Sequence, residues 1–328
     1  MIIVTGGAGF IGSNLVAGLE QRGLGPIVVV DRLRQGDKWR NIAKRNLHDI
    51  VTPEQLPEFL DRHGDAVEVI FHMGAISATT ETDADRVVEN NFRLTLDLWS
   101  WCAATGVRLI YASSAATYGD GAQGFDDDSS AEALARLRPL NPYGWSKHLL
   151  DRRVRAAIDQ RAPTPPQHVG LKFFNVYGPN EYHKGAMRSV PAKLYPQVMA
   201  GEPARLFASD RPDYADGGQL RDFVWVGDTV DVMLWFYDNP GVSGLFNLGT
   251  GKARSWNDLA RALFAAADRE PRIDYIPMPD NLKGKYQYYT QADMGRLRAA
   301  GYDRPFTELE EGIRRYVQDH MGSPDPYV

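Results

Sequence analysis

The sequence predicts an α/β protein with a Rossmann-type doubly wound parallel sheet and a second, smaller α/β lobe, and three observations lead to this class. An apolar strand runs into a glycine turn and a helix within residues 1–12. Apolar strands and amphipathic helices then alternate through the first half of the chain, as in parallel sheets covered on both faces. From about residue 180 onward, short helices and strands are mixed, which indicates the smaller lobe.

The opening turn predicts a dinucleotide site. Ile2 to Val4 form an apolar strand, and the glycines that follow allow the backbone to turn and to approach a ligand closely. The exposed amides at the start of the next helix, at its positive dipole end, suit a pyrophosphate. We therefore expect this turn to bind the cofactor through Gly6, Gly9, Phe10, Ile11 and Gly12.

The second strand, Ile27 to Asp31, ends in a carboxylate at the position that binds an adenosine ribose. Taken alone, Asp31 favours NAD. Arg32 and Lys38 follow closely, and cations at this place suit the 2′-phosphate of NADP. The sequence therefore favours NADP and leaves NAD open.

A third strand begins at Val67 and ends in small residues, so that its backbone can pass close to the cofactor. The expected contacts are Met73, Gly74, Ala75, Ile76 and Ser77. Asn90 and Asn91, near the start of the next helix, would bind either cofactor or buried backbone, and Asn90 is assigned to the cofactor. Between these elements, the sequence predicts a helix over Pro53 to Arg62 with Thr52 as its N-cap.

A tyrosine and a lysine provide the chemistry. Tyr143 and Lys147 are four residues apart, which places the phenol and the ammonium on one face of a helix. The cation is expected to lower the pKa of the phenol, so that it can exchange a proton with a substrate hydroxyl. Lys147 also suits the nicotinamide ribose, and Ser114, at the end of a strand, can hold the same hydroxyl.

Composition excludes several classes of protein. The 328 residues carry a formal net charge of -5, which argues against a nucleic-acid-binding surface. A single cysteine, Cys102, excludes an intrachain disulfide and a thiolate metal cluster, and we expect no metal site. No apolar run reaches the roughly 18 residues of a membrane span. With no room for a cleavable signal before Ile2, we expect a cytoplasmic protein that does not bind membranes.

These motifs resemble those of the extended short-chain dehydrogenase/reductase family, whose epimerase and dehydratase members act on nucleotide sugars. The resemblance covers nearly the whole chain, and a narrower one, to the ADP-heptose 6-epimerases, is carried by His183–Gly185 and Leu282–Gln287. The wider motifs are Met1–Asn14, Tyr111–Gly119, Asn141–Lys147, Phe174–Pro179, Arg221–Val224, Phe246–Gly251 and Tyr302.

The resemblance implies an isomerase that inverts C6 of the heptose of an ADP-sugar through a 6-keto intermediate, for lipopolysaccharide core precursors. It also implies a second acid/base group, Lys184, opposite Tyr143. One proton-transfer group cannot serve both epimers, because the oxygen swings to the other side when the carbon rotates. A phosphate contact or a solvent-facing position is the alternative for Lys184.

The resemblance implies further contacts with the substrate, a nucleotide sugar. Asn175 and Val176 would line the sugar pocket, and Val176 is also counted with the cofactor contacts. The ADP moiety would contact Phe207, Ala208, Ser209, Asp210, Arg221 and Tyr286, with Arg221 suited to the diphosphate or, alternatively, to a salt bridge.

Lys38 matches a cofactor-side lysine of the family. Three departures are Pro53 in place of a lysine, and Ala186 and Lys193 in place of a substrate-side serine and histidine; an extra stretch lies at 211–218.

Another NAD(P)-dependent nucleotide-sugar 4-epimerase or reductase is the alternative function. A dehydratase is disfavoured because Ala115 and Ala116, not an Asp-Glu pair, follow Ser114. A regulator without turnover is disfavoured by the intact Ser114, Tyr143 and Lys147.

We expect a cofactor domain over residues 1–175, with chain returning to it at about 221–250, and a substrate lobe mainly over 176–328. We also expect a homo-oligomer and a disordered tail over the last seven residues.

Overall fold

The computed structural model describes residues 1–279 and 287–328 of the chain. Its strands are short and mostly buried, as expected where apolar runs are covered on both faces. They are β1 (Ile2–Thr5), β2 (Ile27–Val30), β3 (Asp49–Val51), β4 (Val69–His72), β5 (Arg108–Ser114), β6 (His168–Phe173), β7 (Asn175–Tyr177), β8 (Ala204–Phe207), β9 (Leu220–Trp225), β10 (Gly244–Leu248), β11 (Ala253–Ser255) and β12 (Ile273–Ile276).

Seven strands form one sheet in the order β10-β6-β5-β4-β1-β2-β3, and every pairing in it is parallel. Strand order reverses beside β1, where one crossover leads to β2 and a later one leads to β4. Such a switch point leaves a crevice at the carboxyl ends of the strands. The predicted doubly wound parallel sheet is confirmed.

Helices cover both faces of this sheet and build the second layer of the smaller lobe. They are α1 (Phe10–Gln21), α2 (Leu56–His63), α3 (Ala84–Val87), α4 (Leu94–Thr105), α5 (Ala131–Arg136), α6 (Pro142–Asp159), α7 (Val190–Met199), α8 (Val226–Asp238), α9 (Trp256–Ala266), α10 (Gly295–Ala299) and α11 (Leu309–Arg315). A π-helical turn, Val88–Arg93, joins α3 to α4, and another, Tyr316–Met321, follows α11. In the described part of the chain, no helix combines the length and the apolar character needed to cross a bilayer.

Three hydrophobic clusters organise the packing. Two lie on opposite faces of the seven-stranded sheet, because alternate residues of its strands point to opposite sides, as Ile2 and Ile3 do. The third cluster joins β8, β9, α7, α9 and α11. Strands β7, β9 and β11 form a small sheet, and β8 pairs with β12 in another. Strand β10 returns to the edge of the large sheet. The domain boundary near residue 175 stays a prediction.

Two local predictions are wrong. Helix α2 begins at Leu56, not at Pro53, because Gln55 Oε1 accepts a hydrogen bond from the Thr52 amide (2.9 Å) and holds residues 52–55 in a turn. Pro57 then occupies the first turn of the helix, where its missing N–H leaves no bond unmade. The last seven residues are not a disordered tail, since residues 323–328 make specific contacts with two loops of the molecule.

Candidate active site

A cavity of about 980 Å³ lies over the carboxyl ends of β1, β4 and β5. Its wall is formed by the glycine turn after β1, the segments after β2 and β4, the start of α6, and the loop after β7. All of the predicted catalytic and cofactor residues line it: Gly6, Gly9, Phe10, Ile11, Gly12, Asp31, Arg32, Lys38, Met73, Gly74, Ala75, Ile76, Ser77, Asn90, Ser114, Tyr143, Lys147, Val176 and Lys184.

The glycine turn has no room for side chains at its centre. Gly6 has φ +64°, and a Cβ atom there would lie 2.6 Å from the Cα of Gly74 on the neighbouring strand end. A Cβ at Gly9 would lie 2.9 Å from the carbonyl oxygen of Gly6. Two strand ends therefore approach each other as bare backbone, which leaves the amides at the start of α1 open to an anionic ligand.

Asp31 organises the end of the cavity next to β2. Its Oδ2 accepts a hydrogen bond from the Ala8 amide (3.0 Å), and its Oδ1 accepts from the Arg32 amide (2.7 Å) and from Lys38 Nζ (2.5 Å). The Arg32 guanidinium donates to Glu54 Oε1 through Nε (2.8 Å) and to Asn90 Oδ1 (3.2 Å). Both cations expected at a ribose phosphate are thus at the wall, each held by a carboxylate.

A buried network holds the end of β4. Thr5 Oγ1 lies 2.6 Å from His72 Nδ1, and His72 Nε2 lies 2.8 Å from Thr95 Oγ1. Because Thr95 donates its own proton to the Asn91 carbonyl oxygen (2.7 Å), we infer that His72 donates through Nε2 and accepts at Nδ1. Burial lowers the pKa of His72 to about 3, so the ring is neutral. His72 is therefore a packed histidine of the strand.

The two asparagines after β4 have different roles. Asn91 is fully buried and binds both backbone polar groups of Ile76. It accepts a hydrogen bond from the Ile76 amide (2.8 Å) and donates one to the Ile76 carbonyl oxygen (3.0 Å). It thereby fixes the strand end that borders the cavity. Asn90 lines the cavity and donates to the Arg86 carbonyl oxygen (2.8 Å).

Tyr143 and Lys147 lie on the first two turns of α6, which begins with an Asn141 cap and Pro142. Burial raises the pKa of Tyr143, and the side chain of Ser114 opposes this rise. The expected lowering of the pKa of the phenol is therefore wrong for the protein alone, because the loss of hydration outweighs the other effects. The neutral phenol is the stable form, and it can donate a hydrogen bond or a proton.

The Lys147 ammonium is the most informative group in the cavity. It is fully buried, and its Nζ has no hydrogen-bond partner within residues 1–279 and 287–328. Burial lowers its pKa to about 8, while Asp151, one turn further along α6, acts in the opposite direction. A buried donor is rarely left unsatisfied. Together with the bare glycine cradle, this unsatisfied donor fits a dinucleotide, since a ribose hydroxyl would supply the missing acceptor.

Lys184 lines the same cavity from a different element, a 3-10 helix at Tyr182–Met187. Its Nζ lies 5.5 Å from the centroid of the Phe10 ring. Burial lowers the pKa of Lys184, Glu181 opposes this change, and Lys193 adds to it. The amine is thus shifted toward its neutral, proton-accepting form.

The predicted substrate residues are more scattered. Asn175 lines the cavity, whereas Ala186 and Lys193 are exposed and lie off its wall. Arg221 is buried one layer behind it, with its guanidinium 5.8 Å from the ring of Trp256, which does line the cavity. The remaining predicted contacts, Phe207, Ala208, Ser209 and Asp210, also lie off the wall, and Tyr286 is outside the described residues.

Several residues of the cavity wall are not among those that the sequence predicts. They include Thr5, Glu181, Arg188, Phe223, Trp256 and Tyr327. Glu181 is buried and accepts from the Ser189 hydroxyl (2.5 Å) and from Tyr316 (3.0 Å), which ties the Lys184 loop to the smaller lobe. Glu181 lies three residues before Lys184, and this short spacing is the feature of the sequence from which its place at the site could have been predicted. The return of Tyr327 to the cavity has no signal in the local sequence.

Comparison with known proteins agrees with this geometry. Across its full length the chain is 53% identical to an ADP-L-glycero-D-manno-heptose-6-epimerase of Nitratidesulfovibrio vulgaris Hildenborough, with 100% of both chains covered. The crystal structure of the Helicobacter pylori enzyme of the same name superposes with a TM-score of 0.78 at 27% identity, covering 97% of this chain and 95% of that one.

A second solved structure is a nucleotide-sugar epimerase with a bound dinucleotide. Thermus thermophilus UDP-glucose 4-epimerase in complex with NAD superposes with a TM-score of 0.75 at 26% identity, covering 98% of this chain and 99% of that one. Residues 2–249, about three quarters of the chain, match the NAD dependent epimerase/dehydratase family. The chain therefore belongs to that family of enzymes, which use a nicotinamide dinucleotide.

Proposed function

We propose that this protein inverts C6 of the heptose in ADP-D-glycero-β-D-manno-heptose to give the L-glycero epimer, a precursor of the lipopolysaccharide inner core. The observation that carries the proposal is that two groups able to transfer protons, Tyr143 and Lys184, line the same cavity as the glycine turn. The name of the relative that is 53% identical over the full length supports the choice of sugar.

A bound nicotinamide would supply reversible hydride transfer, which oxidises the carbinol and later reduces the ketone. Gly6, Gly9 and Gly12 would hold the pyrophosphate, and Lys147 would bind the nicotinamide ribose. Their support is the bare backbone at Gly6 and the unsatisfied Nζ of Lys147.

Protonation states suggest a division of labour. Burial shifts Lys184 toward the neutral amine, which can accept the proton of the C6 hydroxyl as the carbinol becomes a ketone. Burial keeps Tyr143 as the neutral phenol, which can give its proton to the ketone oxygen on the other side. The resulting phenolate is stabilised by the Lys147 ammonium and the Ser114 hydroxyl. A proton returned from Lys184 to Tyr143 through solvent resets the site.

Two bases would be needed because inversion requires the hydrogen to be given back to the opposite face of the same carbon. The sugar side chain must rotate between the two transfers, and its oxygen then faces the other wall. Tyr143 and Lys184 reach the cavity from different elements, α6 and the loop after β7, which suits the two positions.

We infer that NADP is the preferred cofactor and that NAD also fits. Arg32 and Lys38 line the cavity beside Asp31 and can turn toward a 2′-phosphate. Their present partners, Glu54 and Asp31, would have to release them. Measured dissociation constants for NADPH and NADH test this preference, and tighter binding of NADH would contradict it.

The decisive test is incubation of the purified protein with ADP-D-glycero-β-D-manno-heptose, followed by separation of the two C6 epimers. We expect both epimers at equilibrium from either starting material. No conversion of the heptose, together with turnover of a UDP- or GDP-hexose, would instead support a nucleotide-sugar 4-epimerase or reductase.

A further inference from the structure

Residues 323–328, called the strap here, pack against the loop after β2. Lys44 Nζ donates a hydrogen bond to the Tyr327 carbonyl oxygen (2.7 Å) and forms a salt bridge with Asp325 (2.8 Å). The Arg40 guanidinium lies 5.0 Å from the centroid of the Tyr327 ring, a cation-π distance. One end of the strap is therefore held by two cations of this loop.

The other side of the strap contacts the loop that carries Lys184. The Tyr182 hydroxyl donates to the Pro326 carbonyl oxygen (3.2 Å), and the rings of Tyr182 and Tyr327 meet edge to face with centroids 5.4 Å apart. The Val328 amide donates to Asn180 Oδ1 (3.1 Å). The strap thus bridges two loops that are far apart in sequence.

Both loops also meet beneath the strap, against the glycine turn. Asn41 Nδ2 donates to the carbonyl oxygens of Ala8 (2.9 Å) and Asn180 (2.9 Å). Asn180 Nδ2 donates to Ser13 Oγ (2.9 Å). Asn41 and Asn180 are almost fully buried, so these bonds are shielded from water. The strap closes over an assembly that already contains the pyrophosphate turn.

Tyr327 is itself part of the cavity wall, as Asp37 and Lys38 are. Its ring contacts Tyr182 and Arg40, and the charge of Asp37, the residue before Lys38, acts on its hydroxyl. Asp31, the expected ribose contact, is paired with Lys38 at this same end. The ring of Tyr327 therefore borders the space that the adenosine half of a dinucleotide would occupy. Aromatic rings at such a place contribute through stacking and by excluding water.

We propose that Tyr327 is a cofactor-binding residue and that the strap holds the adenosine end of the dinucleotide in the cavity. This inference deepens the proposed function, because a cofactor that is recycled within each turnover must stay bound between the two hydride transfers. The strap supplies the contacts that slow its release, and Lys44 and Arg40 anchor it.

Binding of NADPH to the full-length protein, followed by its fluorescence in the absence of any sugar, tests the proposal. For Tyr327→Ala we expect the dissociation constant to rise about tenfold, as when one aromatic wall of a ligand site is removed. Tyr327→Phe keeps the ring and should bind NADPH almost as the unaltered protein does. Tyr275→Ala is the matched control, since Tyr275 is 43% exposed and lies off the cavity wall.

A second variant tests the anchor without touching the cavity. Lys44→Ala removes the salt bridge to Asp325 and the bond to the Tyr327 carbonyl, and we expect a rise of about threefold, the size of effect usual for partly exposed ion pairs. Thermal unfolding of each variant shows whether it is folded. If Tyr327→Ala does not fold, Lys44→Ala decides the question.

Unchanged NADPH binding in folded Tyr327→Ala, or in Lys44→Ala when the first variant does not fold, would overturn the proposal. Because the assay contains no sugar, a failure to epimerise the heptose leaves this result intact and counts only against the proposed substrate. An unaltered protein that binds neither NADPH nor NADH would overturn the proposed cofactor chemistry and the role of the strap together.

Discussion

The cofactor half and the substrate half of the cavity are built differently. The cofactor half is made of strand ends, the glycine turn, the segment after β2, and buried side chains such as Asn91 and Lys147 on the elements that cover the parallel sheet. The expected substrate half is lined by the 3-10 helix at Tyr182–Met187, Phe223 and Trp256, and Arg221 lies one layer behind its wall. One sheet edge fixes the first surface, whereas the second depends on how several short elements of the smaller lobe come together. The following predictions compare these two halves.

The largest effect is expected at the buried ammonium of the cofactor half. Lys147→Met should lower kcat by about 10²–10⁴-fold, the usual contribution of a positioned proton-transfer system. It should also stabilise the cofactor-free protein by up to about 3 kcal/mol, since it removes a buried charge whose pKa has fallen from 10.5 to about 8. Turnover assays and thermal unfolding check the two parts, and full activity would contradict the assignment.

The sign of the pH dependence follows from linkage. The pKa of Lys147 is lower in the folded protein, so the unfolded chain holds the extra proton between pH about 8 and 10.5. The loss of folding stability caused by the buried charge of Lys147 is therefore fully present below pH about 8 and disappears as the pH rises to 10.5. The difference in stability between Lys147→Met and the unaltered protein should shrink across this window. A constant difference would show that packing, not charge, is its cause.

The next effect is expected at the glycine turn. Gly6→Ala should weaken NADPH binding by about 100-fold or more, because the new Cβ would lie 2.6 Å from the Gly74 backbone, which cannot move aside as a flexible side chain could. Gly241→Ala is the control, since a methyl group added at Gly241 would meet no other atom within 4 Å. Equal binding by both variants would mean that the turn is not the cofactor site.

A smaller effect is expected in the substrate half. Arg221→Ala should raise the KM for the nucleotide sugar by about tenfold and leave the dissociation constant for NADPH unchanged. The expected cause is loss of the bidentate phosphate contact that the resemblance implies, which requires the guanidinium to move past Trp256 when substrate binds. Arg205→Ala, at an exposed position on β8, is the matched control. An unchanged KM would show that Arg221 is a packing residue beside Trp256 and does not reach the substrate.

The same contrast explains how much of the molecule could be predicted from its sequence. The sheet, the glycine turn and the pair Tyr143 and Lys147 depend on residues that are neighbours in the chain or on one helix, so their spacing is informative. The sequence predicts the start of α2 three residues too early, because the Gln55 side chain binds the Thr52 backbone and competes with the expected cap.

Contacts between distant parts of the chain give no such signal. Asn41 and Asn180 are 139 positions apart. The side-chain amide of Asn41 reaches the carbonyl oxygen of Asn180 only after the sheet and the loop after β7 are in place. The segment 323–328 is short and polar, and it is held in place by contacts with Lys44, Arg40 and Tyr182. The pKa of Tyr143 also depends on burial, which the spacing of Tyr143 and Lys147 does not reveal.

The central claim is that proton donors and acceptors on two sides of one cavity serve the two epimers. Its most direct measurement is the conversion of each C6 epimer of the ADP-heptose by Tyr143→Phe, Lys184→Met and the double variant. We predict that the double variant has no turnover, while each single variant retains slow conversion through one partial reaction. A double variant as active as the unaltered protein would contradict the claim.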